Sequence, residues 1–231
     1  MPEQRFRSPY QGVIKKTFER PPAHVVAAIA TCYTGFIIDR TGKQGFMNPA
    51  VKPIAPGMKM CGPATTVLGA DLEVRRMAIN LAQPGDVLVC AADGVVDYAS
   101  FGDITALRMQ LKGMSGIVID GATRDAAVIR EMGFPVFVKG ITARNYHYPY
   151  AGDHGGVNVP VVCAGVLVNA GDVVLGDDDG VVVVPREMAI GIARTVEAEL
   201  QDENVRKRGL TAWQPWPIED VLRERGYRFE D

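Results

Sequence analysis

The chain has 231 residues, of which 47% are hydrophobic and 23% charged, and its formal net charge is −2. This composition is typical of a globular protein with a substantial core, and the near-neutral charge does not favour nucleic-acid binding. The start of the chain lacks an apolar signal core, and no apolar run reaches the roughly 20 residues that span a bilayer. The four cysteines form no CxxC pair, so we expect reduced thiols, as in a cytoplasmic protein. From the charge and the apolar runs we expect neither nucleic-acid nor membrane partners.

The N-terminal part of the chain predicts an arm, a helix, a strand and a second helix. Residues 1–20 are polar and charged, which is typical of an arm or a frayed start. Pro21 and Pro22 precede a stretch, 23–39, that predicts one helix opening after prolines. A strand is predicted to end at Gly69, and 71–82 has apolar residues near helical spacing.

The middle of the chain alternates between strand and helix patterns. Short apolar, β-branched runs bounded by turns predict buried strands at 87–92, 116–120, 135–138 and 159–162. The intervening segments predict helices at 104–113 and 124–133. Because strands and helices alternate from 86 to 138, we expect a parallel α/β unit there.

The C-terminal part predicts a different arrangement. Residues 171–185 alternate turn residues with valines, which indicates a β-hairpin with an Asp/Gly turn, and a charged helix follows from about 186 to 208. No flexible linker or repeat interrupts the sequence. We therefore predict a single α/β domain, 21–208, folded as a layered α/β/β sandwich, with a C-terminal tail at 209–231.

The segment Asp120–Asp125 is the best candidate for chemistry. A predicted buried strand ends in a glycine turn, and Arg124 and Asp125 then open a helix. The carboxyl ends of strands beside helix N-termini are where open α/β folds bind ligands. A carboxylate suits a hard cation, and an arginine suits an oxyanion. The alternative is that both residues are ordinary polar residues in the first turn of a helix.

A second candidate, 101–105, also joins a predicted strand to a helix. Its backbone amides suit a carboxylate ligand, whereas Asp103 alone is typical of a helix N-cap. If the two strands are neighbours, both loops face one crevice, and this strengthens both candidates.

Residues from about 25 to 200 resemble the class II pyruvate aldolases that act on 4-hydroxy-4-methyl-2-oxoglutarate and 4-carboxy-4-hydroxy-2-oxoadipate. The resemblance rests on Phe-Gly-Asp at 101–103, a spacer of twenty residues and Arg-Asp at 124–125, with support from 133–137, 157–165 and the predicted hairpin. These enzymes share an RraA-like, swivelling β/β/α fold with the regulator of ribonuclease activity A. Those regulators typically have glycine where Asp103 stands, so Asp103 favours the catalytic branch.

The resemblance implies a role for each matched residue. Asp125 is implied to bind Mg²⁺ or Mn²⁺, and Asp103 to orient a metal-bound water. Arg124 is implied to contact the pyruvyl C2 oxygen, and Gly102, Ile104 and Thr105 belong to the loop whose amides hold the pyruvyl carboxylate. Glu203 is expected to approach the metal of a neighbouring subunit, with Glu199 as the second choice.

The implied activity is cleavage of a 4-hydroxy-2-oxoacid to pyruvate through a metal-stabilised enolate, as in degradation of aromatic compounds. Decarboxylation of oxaloacetate forms the same enolate, so one site would serve both reactions. A homotrimer or homohexamer is implied as well. Two alternatives remain open: a non-catalytic binding protein like the ribonuclease regulators, and a related lyase or hydratase for a different oxoacid.

Other polar residues are weaker candidates. Arg144, His147 and His154 either bind the distal carboxylate of the substrate or lie in a solvated loop. Lys139 would be a Schiff-base lysine only in a class I aldolase. The run 177–179 predicts a hairpin turn, because it lacks the alternating ligands of a calcium loop.

Overall fold

The computed structural model describes residues 9–69, 71–145, 155–213 and 215–230. By contacts the chain divides into two compact units, Met1–Glu197 and Ala198–Asp231. The first unit contains the mixed α/β fold. The boundary between the units falls inside the long C-terminal helix, and the second unit holds the end of that helix and one short helix.

The elements in chain order are α1 (Ala23–Ala30), α2 (Thr34–Arg40), β1 (Lys52–Pro53), β2 (Met60–Leu68), α3 (Leu72–Leu81), β3 (Val87–Ala91), β4 (Ala99–Phe101), α4 (Asp103–Leu111), β5 (Gly116–Thr123), α5 (Ala126–Met132), β6 (Val136–Ile141), β7 (Gly156–Val157), β8 (Val161–Cys163), β9 (Val166–Val168), β10 (Val173–Asp177), β11 (Gly180–Val184), α6 (Arg186–Gly209) and α7 (Glu219–Glu224). In the part of the chain that the structure describes, no helix combines the length and apolar character that crossing a membrane requires.

The main sheet has the order β1-β6-β5-β3-β2-β10-β11, with β4 paired to β5 and β7 paired to β2. Strands β2, β3, β5 and β6 are parallel, which confirms the predicted α/β unit. The β10–β11 hairpin is confirmed too, and it continues the sheet by antiparallel pairing of β10 with β2. The carboxyl ends of β3, β4 and β5 therefore lie at one edge of the fold.

The two faces of the sheet are covered differently, which confirms the predicted layers. On one face Ile117 and Ile119 of β5 pack with residues of α3, α4 and α5, such as Ile79, Met109 and Ile129. On the other face Val118 packs with residues of β8, β9 and β11. Alternation along β5 thus divides its side chains between a helical layer and a second β layer.

The predicted helix 23–39 is wrong in one respect, because the structure has two helices with a break at Thr31–Tyr33. Asp177 accepts hydrogen bonds from the Thr34 amide (2.7 Å) and the Thr34 hydroxyl (2.8 Å). Its carboxylate thus caps the N-terminus of α2 from the hairpin turn 143 residues away. Local sequence does not reveal a cap of this kind.

Two strand predictions also need correction. The predicted strand 116–120 continues to Thr123, so Gly121 lies inside β5 and not in a turn. A Cβ at Gly121 would lie 2.9 Å from the Val95 carbonyl oxygen, which explains why glycine occupies this position. The predicted strand 159–162 lies outside the main sheet, because β8 and β9 form a separate hairpin over one face.

The described part of the N-terminal arm is fixed to the domain and not frayed. Lys15 donates its amide to the Val157 carbonyl oxygen at 3.0 Å. Arg20 makes a two-pronged contact with Asp86, with Nη2 and Nε at 2.7 and 3.0 Å from its carboxylate oxygens. Asp86 is only 1% exposed, so this pairing satisfies a buried charge at the start of β3.

Candidate active site

The two predicted loops meet at the carboxyl ends of β4 and β5. Phe101 of β4 pairs in parallel with Thr123 of β5, and the Phe101 carbonyl oxygen accepts a hydrogen bond from the Arg124 amide at 3.1 Å. This pairing places the start of α4 directly beside the start of α5. The two loops are therefore neighbours, whereas the expectation that they face one crevice stays a prediction.

Asp125 has a backbone conformation that directs its side chain away from its own helix. Its φ is 57° and its ψ 31°, in the left-handed region, and its side chain makes no capping hydrogen bond to α5. Aspartate tolerates this region better than most residues, but the conformation still costs free energy and often marks a functional position. An ordinary first-turn residue of a helix would not show it.

Gly102 provides the space into which the Asp125 carboxylate fits. A Cβ at Gly102 would overlap Asp125 Oδ2, and it would also lie 3.1 Å from Cγ and Nε of Arg124. The backbone of Gly102 is extended, with φ −145°, so glycine is needed here for close approach and not for backbone freedom. The sequence singled out Gly102 as part of a motif, but its contact with Asp125 emerges only from the fold.

The first turn of α4 contacts the Asp125 carboxylate through one backbone amide. The Asp103 amide donates to Asp125 Oδ2 at 3.3 Å, and the Ile104 amide donates to Asp103 Oδ1 at 2.7 Å. Thr105 follows in the same turn. The Ile104 amide is thus engaged by Asp103, and a substrate carboxylate at this position would have to displace that oxygen.

Arg124 completes the cluster of charges. Its Nε lies 3.3 Å from Asp125 Oδ2, with the two side chains 41% and 34% exposed. Partial exposure leaves room for a ligand while the adjacent backbone remains fixed by β4. The predicted residues Gly102, Asp103, Arg124 and Asp125 therefore form one contiguous site.

The chemistry of this site fits a hard divalent cation. The Asp125 carboxylate lies against the first residue of α4, Asp103, through the backbone amide of that residue, and oxygen donors are the ligands that Mg²⁺ and Mn²⁺ prefer. Among the described residues no group of three or more His, Cys, Asp and Glu side chains comes together. A cation that retains several waters and needs few protein ligands, as Mg²⁺ commonly does, therefore fits better than a fully liganded zinc ion.

Substituting Gly102 tests this packing. We expect Gly102→Ala to displace the Asp125 carboxylate and to lower kcat by roughly 100-fold, because misplacement of a reacting group by about 1 Å has an effect of that size. The extended backbone accepts alanine, so the melting temperature should change little. The control is Gly191→Ala, because a Cβ at Gly191 would meet no atom within 4 Å. Full activity of Gly102→Ala in a steady-state assay would show that the carboxylate position is unimportant.

The weaker candidates lie in other positions or outside the described residues. Arg144 stacks on Tyr98, with 5.3 Å between its guanidinium carbon and the ring centre, while His147 and His154 lie outside the described residues. A Cβ at Gly94 would lie 3.3 Å from Lys139 Nζ, which places this amine beside the loop after β3. Glu203 belongs to the second unit, where it pairs with Lys207 at 2.7 Å, so its role at a neighbouring subunit stays a prediction.

Three cysteines, the buried Cys90 and Cys163 and the partly buried Cys61, are poor candidates for a nucleophile. Burial raises the pKa of the Cys61 thiol to about 12 and that of Cys90 to about 11. Burial also raises the pKa of Cys163 well above its ordinary value. Because the thiolate is the reactive form, these groups stay protonated and unreactive at neutral pH.

Comparison with known proteins links this chain to one family. Residues 28–183 match the RraA-like family described as Aldolase/RraA. A protein of Halalkalibacterium halodurans named "Putative 4-hydroxy-4-methyl-2-oxoglutarate aldolase" is 32% identical over 168 residues, which are 71% of this chain and 78% of the relative. A protein of the same name from Halorhodospira halophila is 34% identical over 171 residues, 71% of this chain and all (100%) of the relative.

Solved structures agree in fold. Streptomyces coelicolor RraAS2, described as an unusual member of the RNase ES inhibitor RraA protein family, is 30% identical with a TM-score of 0.71, covering 83% of this chain and 99% of its own. An uncharacterized protein from Pseudomonas syringae has the same TM-score, 0.71, at 24% identity, covering 85% of this chain and 97% of its own. The latter similarity supports the fold alone.

Proposed function

Because this chain belongs to the Aldolase/RraA family, we propose that it is a divalent-metal-dependent lyase that releases pyruvate from a 4-hydroxy-2-oxoacid. The contact between Gly102 and the Arg124–Asp125 pair carries this proposal. That contact brings the Asp125 carboxylate, the Arg124 guanidinium and the N-terminus of α4, which begins at Asp103, together. Such a set suits a reaction that develops negative charge on an oxyanion.

Within this proposal Asp125 holds the cation, with Asp103 beside it. When bound, Mg²⁺ or Mn²⁺ supplies positive charge that stabilises an enolate. Arg124 donates hydrogen bonds to the C2 oxygen of the pyruvyl unit, and its guanidinium suits that oxygen because it presents several donors in a fixed plane. The amides that open α4, at Ile104 and Thr105, bind the C1 carboxylate in place of the Asp103 oxygen.

In the proposed reaction one proton and one electron pair move. The C4 hydroxyl loses its proton to the Asp103 carboxylate through one water molecule, and the C3–C4 bond breaks as C4 becomes a carbonyl carbon. The electron pair of that bond moves into the pyruvyl unit as an enolate, with its charge on the C2 oxygen beside Arg124. Proton return to C3 yields pyruvate. Oxaloacetate would lose carbon dioxide to form the same enolate, so we also propose decarboxylase activity.

A coupled assay of pyruvate release tests the proposal. We expect oxaloacetate and at least one substituted 4-hydroxy-2-oxoacid to yield pyruvate when Mg²⁺ or Mn²⁺ is present, and we expect a chelator to stop the release. A panel of oxoacids would also distinguish a related lyase or hydratase. Borohydride added with pyruvate should leave Lys139 unmodified, because the proposed reaction forms no Schiff base. The absence of metal-dependent release from every compound would refute the lyase proposal.

A second candidate function is binding to a ribonuclease, and the 30% identity to RraAS2 is the observation that favours it. The carboxylate of Asp103 favours the lyase, since a protein that acts only by binding needs no acidic group at the crevice. A chain that inhibits ribonuclease E-type cleavage and releases no pyruvate would support this second candidate.

We also propose a homo-oligomer, a trimer or a hexamer, in which a carboxylate of α6 reaches a neighbouring site. The second unit presents large apolar side chains, with Leu210, Trp213 and Trp216 between 71% and 87% exposed, and α7 buries none of its residues. Apolar surface of this kind is typical of segments that pack against a partner. A second copy of the chain is the partner that a shared site requires.

Substituting Glu203 tests the shared site. We expect Glu203→Ala to lower kcat by roughly 10- to 100-fold, the range for groups that act near a metal, without changing the mass measured by light scattering. Lys207→Ala is the matched control, because it breaks the same 2.7 Å ion pair but retains the carboxylate. Full activity of Glu203→Ala would exclude this residue, and a fully active monomer would exclude a shared site altogether.

A further inference from the structure

Arg75 is a charged side chain in the interior of the first unit. It lies in the middle of α3 and is only 1% exposed, whereas the adjacent Arg76 is exposed and pairs with Glu73 at 2.7 Å. Burying a guanidinium is costly unless it is compensated by hydrogen bonds, and replacement by an apolar residue of similar volume is often neutral or stabilising. Overall stability is therefore a poor explanation for a charge at this position.

The guanidinium is directed to the strand that carries the active-site loop. Arg75 Nη1 donates a hydrogen bond to the carbonyl oxygen of Ser100 in β4. The register of β4 against β5 is irregular between Ala99 and Phe101, so Ser100 lies at the irregularity. Residues at a bulge lie outside the regular ladder, and bulges are common where a strand re-aims a side chain beside an active site.

Ser100 is directly connected to the site. It precedes Phe101, whose carbonyl oxygen accepts from both the Arg124 amide and the Thr123 hydroxyl at 3.1 Å. Gly102 follows, and it packs so closely against Asp125 that no Cβ fits between them. A movement of β4 by a few tenths of an ångström would therefore move the Asp103 and Ile104 amides relative to the Asp125 carboxylate.

We propose that Arg75 is a positioning residue that fixes the irregular backbone at Ser100 and thereby holds Gly102 and Asp103 against Arg124 and Asp125. The inference rests on the proposed lyase function for its kinetic consequence, but its structural part is independent of that function. Arg75 also contacts the thiol of Cys90 at the end of β3; burial raises the pKa of that thiol to about 11, and Arg75 lowers it in part. A single side chain of α3 thus contacts both β3 and β4.

The test compares Arg75→Met and Arg75→Lys with two controls on the same helix. Arg76→Met removes an exposed charge, and Ile79→Ala destabilises α3 through a cavity without affecting the contact to Ser100. Each variant is examined by hydrogen–deuterium exchange of peptides covering 99–106, by thermal melting, and by kcat and KM for metal-dependent pyruvate release.

For Arg75→Met we expect exchange in 99–106 to be at least roughly 10-fold faster and kcat to fall roughly 10- to 100-fold, with KM nearly unchanged. Arg75→Lys keeps a positively charged hydrogen-bond donor, so its exchange rate and its kcat should lie between those of Arg75→Met and the wild type. If Arg75→Met does not fold, Arg75→Lys serves as the test in its place. Three results would each overturn the inference. The first is unchanged hydrogen exchange of 99–106 in Arg75→Met, and the second is an equal acceleration of that exchange in Ile79→Ala. The third is faster exchange in Arg75→Met with an unchanged kcat. If the wild-type protein releases no pyruvate, the proposed function fails, and the exchange data alone decide whether Arg75 fixes the loop.

Discussion

Asp125→Asn is expected to abolish metal-dependent pyruvate release, with kcat lowered by at least roughly 100-fold. Asp125 is the carboxylate that Gly102 accommodates and the proposed ligand of the cation, so loss of its charge removes the metal from the crevice. Asparagine tolerates the left-handed backbone, with φ of 57°, at least as well as aspartate. The variant should therefore melt close to the wild type, and isothermal titration with Mn²⁺ should show weakened binding.

Two comparisons make this prediction specific. Asp125→Ala removes the same charge but adds backbone strain of about 1 kcal/mol or more, so its melting temperature should be lower than that of Asp125→Asn. Asp103→Asn should be milder, with a loss of roughly 10- to 100-fold, if Asp103 acts through a metal-bound water. Equal Mn²⁺ affinity in Asp125→Asn and the wild type would show that another group binds the cation.

Arg124→Lys should lower kcat roughly 100- to 1000-fold while the protein stays folded. Lysine retains the positive charge, but its single ammonium group cannot reproduce the planar guanidinium that lies 3.3 Å from Asp125 and that, in the proposed reaction, donates to a developing oxyanion. The loss should occur mainly in kcat, because the C2 oxygen becomes negative only during the reaction.

The matched control for Arg124→Lys is Arg76→Lys, which changes an exposed guanidinium in an ion pair on α3. We expect that control to retain wild-type kcat and KM. A loss confined to KM in Arg124→Lys would assign Arg124 to substrate binding rather than to stabilisation of the enolate.

Most regular elements of the chain could be predicted from the sequence because their signals are local. The β-branched runs that form β3, β5 and β6, the turn residues of the hairpin and the extent of α6 were all recognisable. The break between α1 and α2 was not, because Asp177 caps α2 from a distant turn. Strand β4 has only three residues and exists through its pairing with β5, which is likewise a tertiary effect.

For the candidate site, the sequence predicts which residues belong to it but not how they pack. The sequence identifies Asp103, Arg124 and Asp125, because the motif is defined by residue types and by their spacing along the chain. The packing of Asp125 over Gly102 and the left-handed backbone of Asp125 depend on how two loops meet, so they required coordinates.

Arg75 was missed for a physical reason. The apolar residues that predict the helix at 71–82 are Leu72, Val74, Met77, Ala78 and Leu81. The buried residues of α3 are Arg75, Ala78 and Ile79, so only Ala78 is common to both sets, and Leu72 is 42% exposed. The spacing along the helix does indicate that Arg75 is buried, since it lies three and four residues before the apolar Ala78 and Ile79 and so shares their face. Residue type argued against burial, because arginine is almost never fully buried unless it is paired.

The central claim is that this crevice forms an enolate of pyruvate, and proton exchange at pyruvate itself tests it most directly. When pyruvate is incubated with the protein in heavy water, proton NMR should show the methyl signal disappearing only when Mg²⁺ or Mn²⁺ is present. The account predicts that a chelator stops the exchange and that Asp125→Asn and Arg124→Lys do not catalyse it. Because no distal part of a substrate takes part, the result does not depend on which oxoacid is cleaved. No exchange above the protein-free rate, or undiminished exchange in the Asp125→Asn variant, would contradict it.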